Sequence, residues 1–169
     1  PIKTAHFKRA NNSKNFRGEA GYGYCASKSE TYYGFKGHLL IDNIGNITNF
    51  TLTEASGSER EAVWELVKNK TQNILLGDKG YLSARFKQDL YFEQALELET
   101  PVRHNMVDHL ERTERTFLNK TRRLVETVIG QLTGQFNIEK VWARKIWTFS
   151  GRLSRKILAH SLGMLANTS

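Results

Sequence analysis

The run Leu75-Leu76-Gly77-Asp78-Lys79-Gly80-Tyr81-Leu82 takes an apolar strand straight into a carboxylate and then a turn. A carboxylate at the end of a buried strand is well placed for metal-assisted chemistry. Forty-eight positions later Glu126 stands in Arg122-Arg123-Leu124-Val125-Glu126-Thr127-Val128-Ile129, a strongly periodic helical stretch. Hard divalent cations prefer carboxylate oxygens, and arginine suits phosphate. Together the two segments point to phosphoryl transfer on nucleic acid.

Arg122 and Glu126 are four apart and share a helix face with Gly130 and Thr133. A small residue at 130 leaves room there for a strand of DNA. Taken alone, the Arg122/Glu126 spacing describes an exposed ion pair worth a few tenths of a kcal/mol. The Asp78 turn gives it a chemical meaning.

Other arrangements are weaker. His104 and His109 are five apart, which does not put two ligands on one helical face. Ser56-Gly57-Ser58 reads as a turn and helix cap, with no Gly-x-Ser-x-Gly elbow for hydrolase chemistry. No Gly-Lys-Ser/Thr loop is present to cradle a nucleotide phosphate. Cys25 is the sole cysteine, so neither an internal disulfide nor a cysteine-based zinc site can form.

The elements that must position these residues follow from periodicity. Residues 1–31 are polar and basic, without sustained period, and read as an irregular arm. From Tyr33 the residues Tyr33, Phe35, Gly37, Leu39 and Ile41 fall on one side of a strand, with Lys36 and His38 on the other. Asp42-Asn43-Ile44-Gly45-Asn46 supplies turn chemistry, and Ile47 to Thr53 returns as the second strand of a hairpin. A helix opens at Ser58 and runs to Lys70, and a strand spans Asn73 to Gly77. A further helix covers Ser83 to Ala95, and a strand Leu96 to Val102.

The strongest helix signal is Phe117 to Phe136, apolar at Phe117, Thr121, Leu124, Val125, Val128, Ile129, Leu132 and Phe136. A last amphipathic helix, Arg152 to Ala166, buries Leu153, Ile157, Leu158, Leu162 and Leu165. Trp142, Trp147 and Phe149, between the last two helices, read either as a packed connection or as a stacking surface, with packing favoured. This order implies an α/β fold, a mixed sheet covered by helices.

The charge of +8 is uneven. Residues 1–38 hold seven Lys/Arg against two acids, residues 139–169 hold six against one, and the middle is slightly acidic. That layout fits basic flanks gripping a polyanion around a central acidic pocket. No apolar run approaches the ~20 residues of a membrane span and no signal pattern opens the chain, so a soluble, cytoplasmic protein is expected.

Tyr33-Gly34-Phe35-Lys36, the Asp78-Lys79-Gly80-Tyr81 turn and Arg122-x3-Glu126 occur in the order seen in the DDE transposases of bacterial insertion sequences, which the chain resembles along nearly its whole length. The resemblance implies an RNase H-like core, a mixed β-sheet flanked by α-helices, with Mg²⁺ or Mn²⁺ held by two Asp and one Glu. Asp78 matches the second Asp and Glu126 the Glu. It implies cleavage of DNA at transposon ends, strand transfer into target DNA, and nucleoid association when bound. A homodimer is a further implied assembly.

Lys36, Lys79, Arg122, Arg123, Lys140 and Arg144 are the expected phosphate contacts. The family pattern Tyr-x2-Arg-x3-Glu-x6-Lys is met only at Arg122 and Glu126: Asn119 replaces the Tyr and Thr133 the Lys, whose role then either passes to another base, such as Lys140 or Arg144, or is absent. The first Asp belongs to a first strand that this reading places before Pro1, so the first strand is missing and the 169-residue chain is expected to be inactive alone. Asp42 reads as a hairpin-turn residue instead of that Asp. The expected division is a catalytic core over 1–136, with its basic arm 1–31, and a basic helical extension over 137–169 packed on it. The alternatives are a DNA-binding remnant without catalysis and an RNase H-like nuclease that only hydrolyses.

Overall fold

The computed structural model describes residues 1–5, 15–71, 73–78, 81, 83–100 and 112–167. Along these the chain forms β1 (Ile2–Ala5), β2 (Gly21–Cys25), β3 (Glu30–Ile41), β4 (Ile47–Glu54), α1 (Glu59–Val67), β5 (Ile74–Leu76), α2 (Ala84–Gln94), β6 (Glu97–Glu99), α3 (Arg112–Gly134) and α4 (Ile146–Asn167). The architecture is mixed α/β, with an antiparallel sheet and four helices among the described residues, compatible with an RNase H-like core. No helix among them is long and apolar enough to cross a membrane.

β3 is the spine of the larger sheet. Its alternation of large apolar and polar side chains turns Tyr33 and Phe35 into the core, with Leu39 and Ile41 packed behind them. One edge of β3 pairs antiparallel with β2 and then with β4, through Tyr22↔Tyr33 and Leu39↔Phe50. The other edge pairs with β1, through Ile2↔Phe35 and Lys3↔Gly34. Segment 1–31 is therefore not the irregular arm its composition implies. Its described residues include β1, β2 and the first residues of β3, and the apolar content of β1 and β2 is too low to show a period without the β3 template.

The hairpin turn is built by its own side chains. Asp42 Oδ1 accepts from the backbone N–H of Ile44 at 3.0 Å and of Asn46 at 2.8 Å, and Oδ2 accepts from Asn46 Nδ2 at 2.9 Å. Gly45 sits at φ +96°, and a Cβ there would press within 3.1 Å of Leu124 Cδ1, so the turn is tucked against α3.

The smaller sheet is a parallel pair, β5 and β6, joined through α2. Ser83 Oγ caps α2 by accepting from Phe86 N at 3.4 Å. Val63 and Val67 of α1, Phe86 and Leu90 of α2, and Leu96 and Leu98 make this unit's core. Asn49 Nδ2 on β4 donates to Leu66 O at 2.6 Å, tying it to the larger sheet.

The main core joins distant segments: Ile2, Phe16 and Phe35 meet Val128 and Leu132 of α3 and Phe149 and Leu153 of α4. Phe16, Phe35 and Phe149 form a ring cluster with centroids 4.9 to 5.6 Å apart. Each such pair is worth about 0.5–1.5 kcal/mol beyond burial. α3 starts five residues before the periodic stretch, and Phe117 and Ile129 are exposed, leaving Val128 and Leu132 as its buried anchors. α4 likewise starts at Ile146. It buries Phe149, Leu153 and His160 and leaves Leu158, Leu162 and Leu165 in solvent, correcting the expected inward face. Apolar residues on two sides of α4 let the helix dock by either, and the aromatic cluster selects the Phe149 side.

Candidate functional site

Asp78 lies two residues past the end of β5. Gly77 N donates to Glu99 O at 2.9 Å, holding the strand end to β6, and Tyr81 N donates to Asp78 O at 3.0 Å, closing a turn. The sequence here folds as it reads, an apolar strand stopped by Gly and Asp. The Asp78 side chain is exposed. It opens onto a cleft of about 340 Å³ shared with Pro1, Lys36, His38, Glu59 and Tyr81.

The electrostatics of the cleft are mutual. Lys36 Nζ lies 3.3 Å from Glu59 Oε1, so this predicted phosphate contact already has a carboxylate beside it. Burial pushes the Tyr81 hydroxyl pKa up, and the charges of Glu59 and Asp78 add to it. Burial lowers the His38 imidazole, with Glu59 pulling the other way, and His38 Nε2 lies 2.9 Å from Thr53 Oγ1. His38 and Glu59 escaped the sequence reading as members of this site, and Tyr81 entered it only as the end of the Asp78 turn motif. His38 was visible on the polar face of the strand beside Lys36, and Glu59 carried no signal beyond that of a helix-start acid.

Glu126 is on α3, where Arg122 Nε donates to its Oε1 at 3.1 Å. It is not among the residues that line the Asp78 cleft. Open space surrounds Gly130 on the same helix: a Cβ added there would meet no atom within 4 Å. Among the described residues no group of three or more His, Cys, Asp or Glu could hold a metal ion. The donors present are of the right kind for a hard divalent cation, carboxylate oxygens, but they are not gathered as a complete set.

Asp42 is a half-buried turn residue. Burial raises its carboxyl, but the hydrogen bonds from Asn46, Ile44 and Gly45 outweigh that and hold it below the ordinary carboxylate range. Both its oxygens are occupied by the turn it builds.

Among the other predicted phosphate contacts, Arg123 is exposed on α3, and Lys140 and Arg144 line a second cleft formed by β1, the α3–α4 connection and the start of α4. Lys79 falls outside the described residues, as do His104 and His109. The aromatic trio separates: Phe149 is fully buried, while Trp142 and Trp147 are 84% and 86% exposed. The packed connection expected of all three holds for Phe149 alone, because the space beneath is already filled by Val141 and the phenylalanine cluster.

Residues 1–146 match the protein family described as Transposase DDE domain. No curated protein and no solved structure matches the chain.

Proposed function

The chain belongs to the transposase DDE domain family, and on that premise we propose that it is the catalytic domain of an insertion-sequence transposase, with Asp78 and Glu126 as ligands of Mg²⁺ or Mn²⁺. The family implies action on DNA, by transposition and endonucleolytic cleavage. The observation that carries Asp78 is its place at the carboxyl end of β5, facing a cleft with a second carboxylate, Glu59; Glu126, which does not line that cleft, is proposed on its match to the family's glutamate. A cation bound there would polarise the scissile phosphate and lower the pKa of the attacking hydroxyl. The protein's own part is to aim carboxylates and to hold the backbone through exposed cations such as Arg123, Lys140 and Arg144.

We place the remaining carboxylate on a strand continuing β1 toward its N-terminal side. Two observations support this. Among the described strands, β3 is unpaired from Lys36 to Ile41 on its β1 edge, and β5 is unpaired on the edge away from β6. Between these edges lies an apolar slot of about 470 Å³, lined by Leu39, Ile41, Leu75, Leu76 and Val125. Unpaired edges flanking an apolar slot favour one more strand. If the register Ile2↔Phe35 is continued, a residue preceding Pro1 would fall across from Gly37, which lines the Asp78 cleft.

The test is a nicking assay on the matching transposon end with Mg²⁺ or Mn²⁺. It compares the 169-residue chain, the chain extended by its upstream coding sequence, and the extended chain carrying Asp78→Asn. Cleavage is expected from the extended chain only. Robust metal-dependent cleavage by the 169-residue chain would mean a complete ligand set already exists, with Glu59 the next residue to replace. Duplex affinity should fall steeply with salt, with a slope of about 0.9 per phosphate neutralised; a flat response would remove DNA as the partner.

A further inference from the structure

We infer that Trp142 is a stacking platform for an unpaired base of a single-stranded DNA segment, held by the cations around it. This rests on the DNA reading above and adds a site to it.

Trp142 lies in the connection between α3 and α4. Backbone alternation there sends Val141 into the core and the Trp142 indole outward, 84% exposed. An indole left in water forgoes the largest burial any side chain offers, so its position needs a reason outside the core. Its surroundings supply one. Two concavities meet at Trp142. One, about 910 Å³, is lined by Lys140, Arg144, Lys145 and Arg152. The other, about 300 Å³, is lined by Lys140, Arg152, Arg155 and Lys156.

The charge of this surface is free to meet an anion. Glu139 is the one acid lining either concavity among the described residues, and Lys28 already holds it at 2.6 Å. No described carboxylate forms an ion pair with Lys140, Arg144, Lys145 or Arg152. A cationic groove with an aromatic ring on its wall matches the chemistry of a single strand, whose phosphates need cations and whose exposed base faces need a flat apolar partner. A duplex hides its base faces in its own stack and gains from the cations alone.

Fluorescence anisotropy of the 169-residue chain, on labelled oligothymidylate and on a duplex of matched length, decides the matter. Trp142→Ala should weaken single-strand binding roughly tenfold and leave duplex binding within about twofold, while Trp142→Phe retains most of the affinity. Arg152→Ala should weaken both. An independent readout needs no alanine variant. With Trp64 and Trp147 replaced by Phe, the emission of Trp142 should be quenched by oligothymidylate and not by duplex.

Equal losses on both DNAs, or no loss on either while duplex binding persists, would overturn the platform and leave the DNA reading standing. Binding of neither DNA at low salt would remove that reading and the platform with it. Binding of polyglutamate with the same dependence on Trp142 would assign the surface to an acidic polypeptide and overturn the proposal.

Discussion

One helical turn apart on α3, Arg122 donates from Nε to Glu126 Oε1 at 3.1 Å, with both side chains more than 60% exposed. The proposed metal ligand is thus held by a neighbouring cation through a contact that solvent screens, and it can be released cheaply. In whichever form of the protein nicks DNA, Glu126→Gln should reduce nicking by more than the roughly 10–100-fold typical of groups that only support a ligand. Thermal melts of the same variant should shift by less than about 0.5 kcal/mol. Arg122→Ala should instead lower the salt slope of DNA binding by about one. A melt that collapses with Glu126→Gln would mean the carboxylate is structural.

Gly34 on β3 is crossed by β1 so closely that an added Cβ would run into the Ile2 carbonyl oxygen. Backbone cannot yield as a flexible side chain does. Gly34→Ala should cost about 1–3 kcal/mol in urea unfolding and speed amide exchange at Ile2 to Thr4. Gly151→Ala is the control: it lies in α4 with no atom within 4 Å of the added carbon, and should gain up to about 1 kcal/mol from helix propensity. Equal effects at the two positions would show that β1 is not held as described.

His160 Nε2 lies 2.8 Å from Gln131 Oε1, linking α4 to α3, and its Nδ1 is buried with no hydrogen-bond partner among the described residues. Burial holds the imidazole below its ordinary value of 6.5. The folded ring therefore stays neutral while the unfolded chain takes up a proton below that pH. Stability is unaffected by this group above about pH 6.5 and falls as the pH drops from there toward the folded value. Denaturation across about pH 7 to 5 should give a shallower decline for His160→Gln than for the parent. His38, also lowered by burial, has the same sign, so the decline is reduced, not abolished. An unchanged pH slope would place the His160 ring in contact with water.

The hairpin was legible from Tyr33 to Thr53 because its alternation is long and its turn carries local chemistry at Asp42 and Gly45, while the first residues of β3, from Glu30, fell in the expected arm. The position of Asp78 was legible from a short apolar run stopped by Gly77. β1 and β2 were not, since four- and five-residue strands become ordered only by pairing with β3. The buried side of α4 also escaped, because both of its faces are apolar enough to bury and the choice is made by Phe16 and Phe35. His38, Glu59 and Tyr81 reach one cleft from three separate segments, and no local spacing encodes such a meeting.

Ile2 packs in the same cluster as Phe149 and Leu153, Lys3 bridges to Lys140, and Lys28 grips Glu139. A chain leaving the ribosome therefore cannot finish its first strand's packing until α4 has emerged. The unit of α1, β5, α2 and β6, whose contacts are more local, can settle earlier. Until α4 has been made, β1 and the apolar side of β3 wait uncovered, and that interval is where this protein is most open to misassembly.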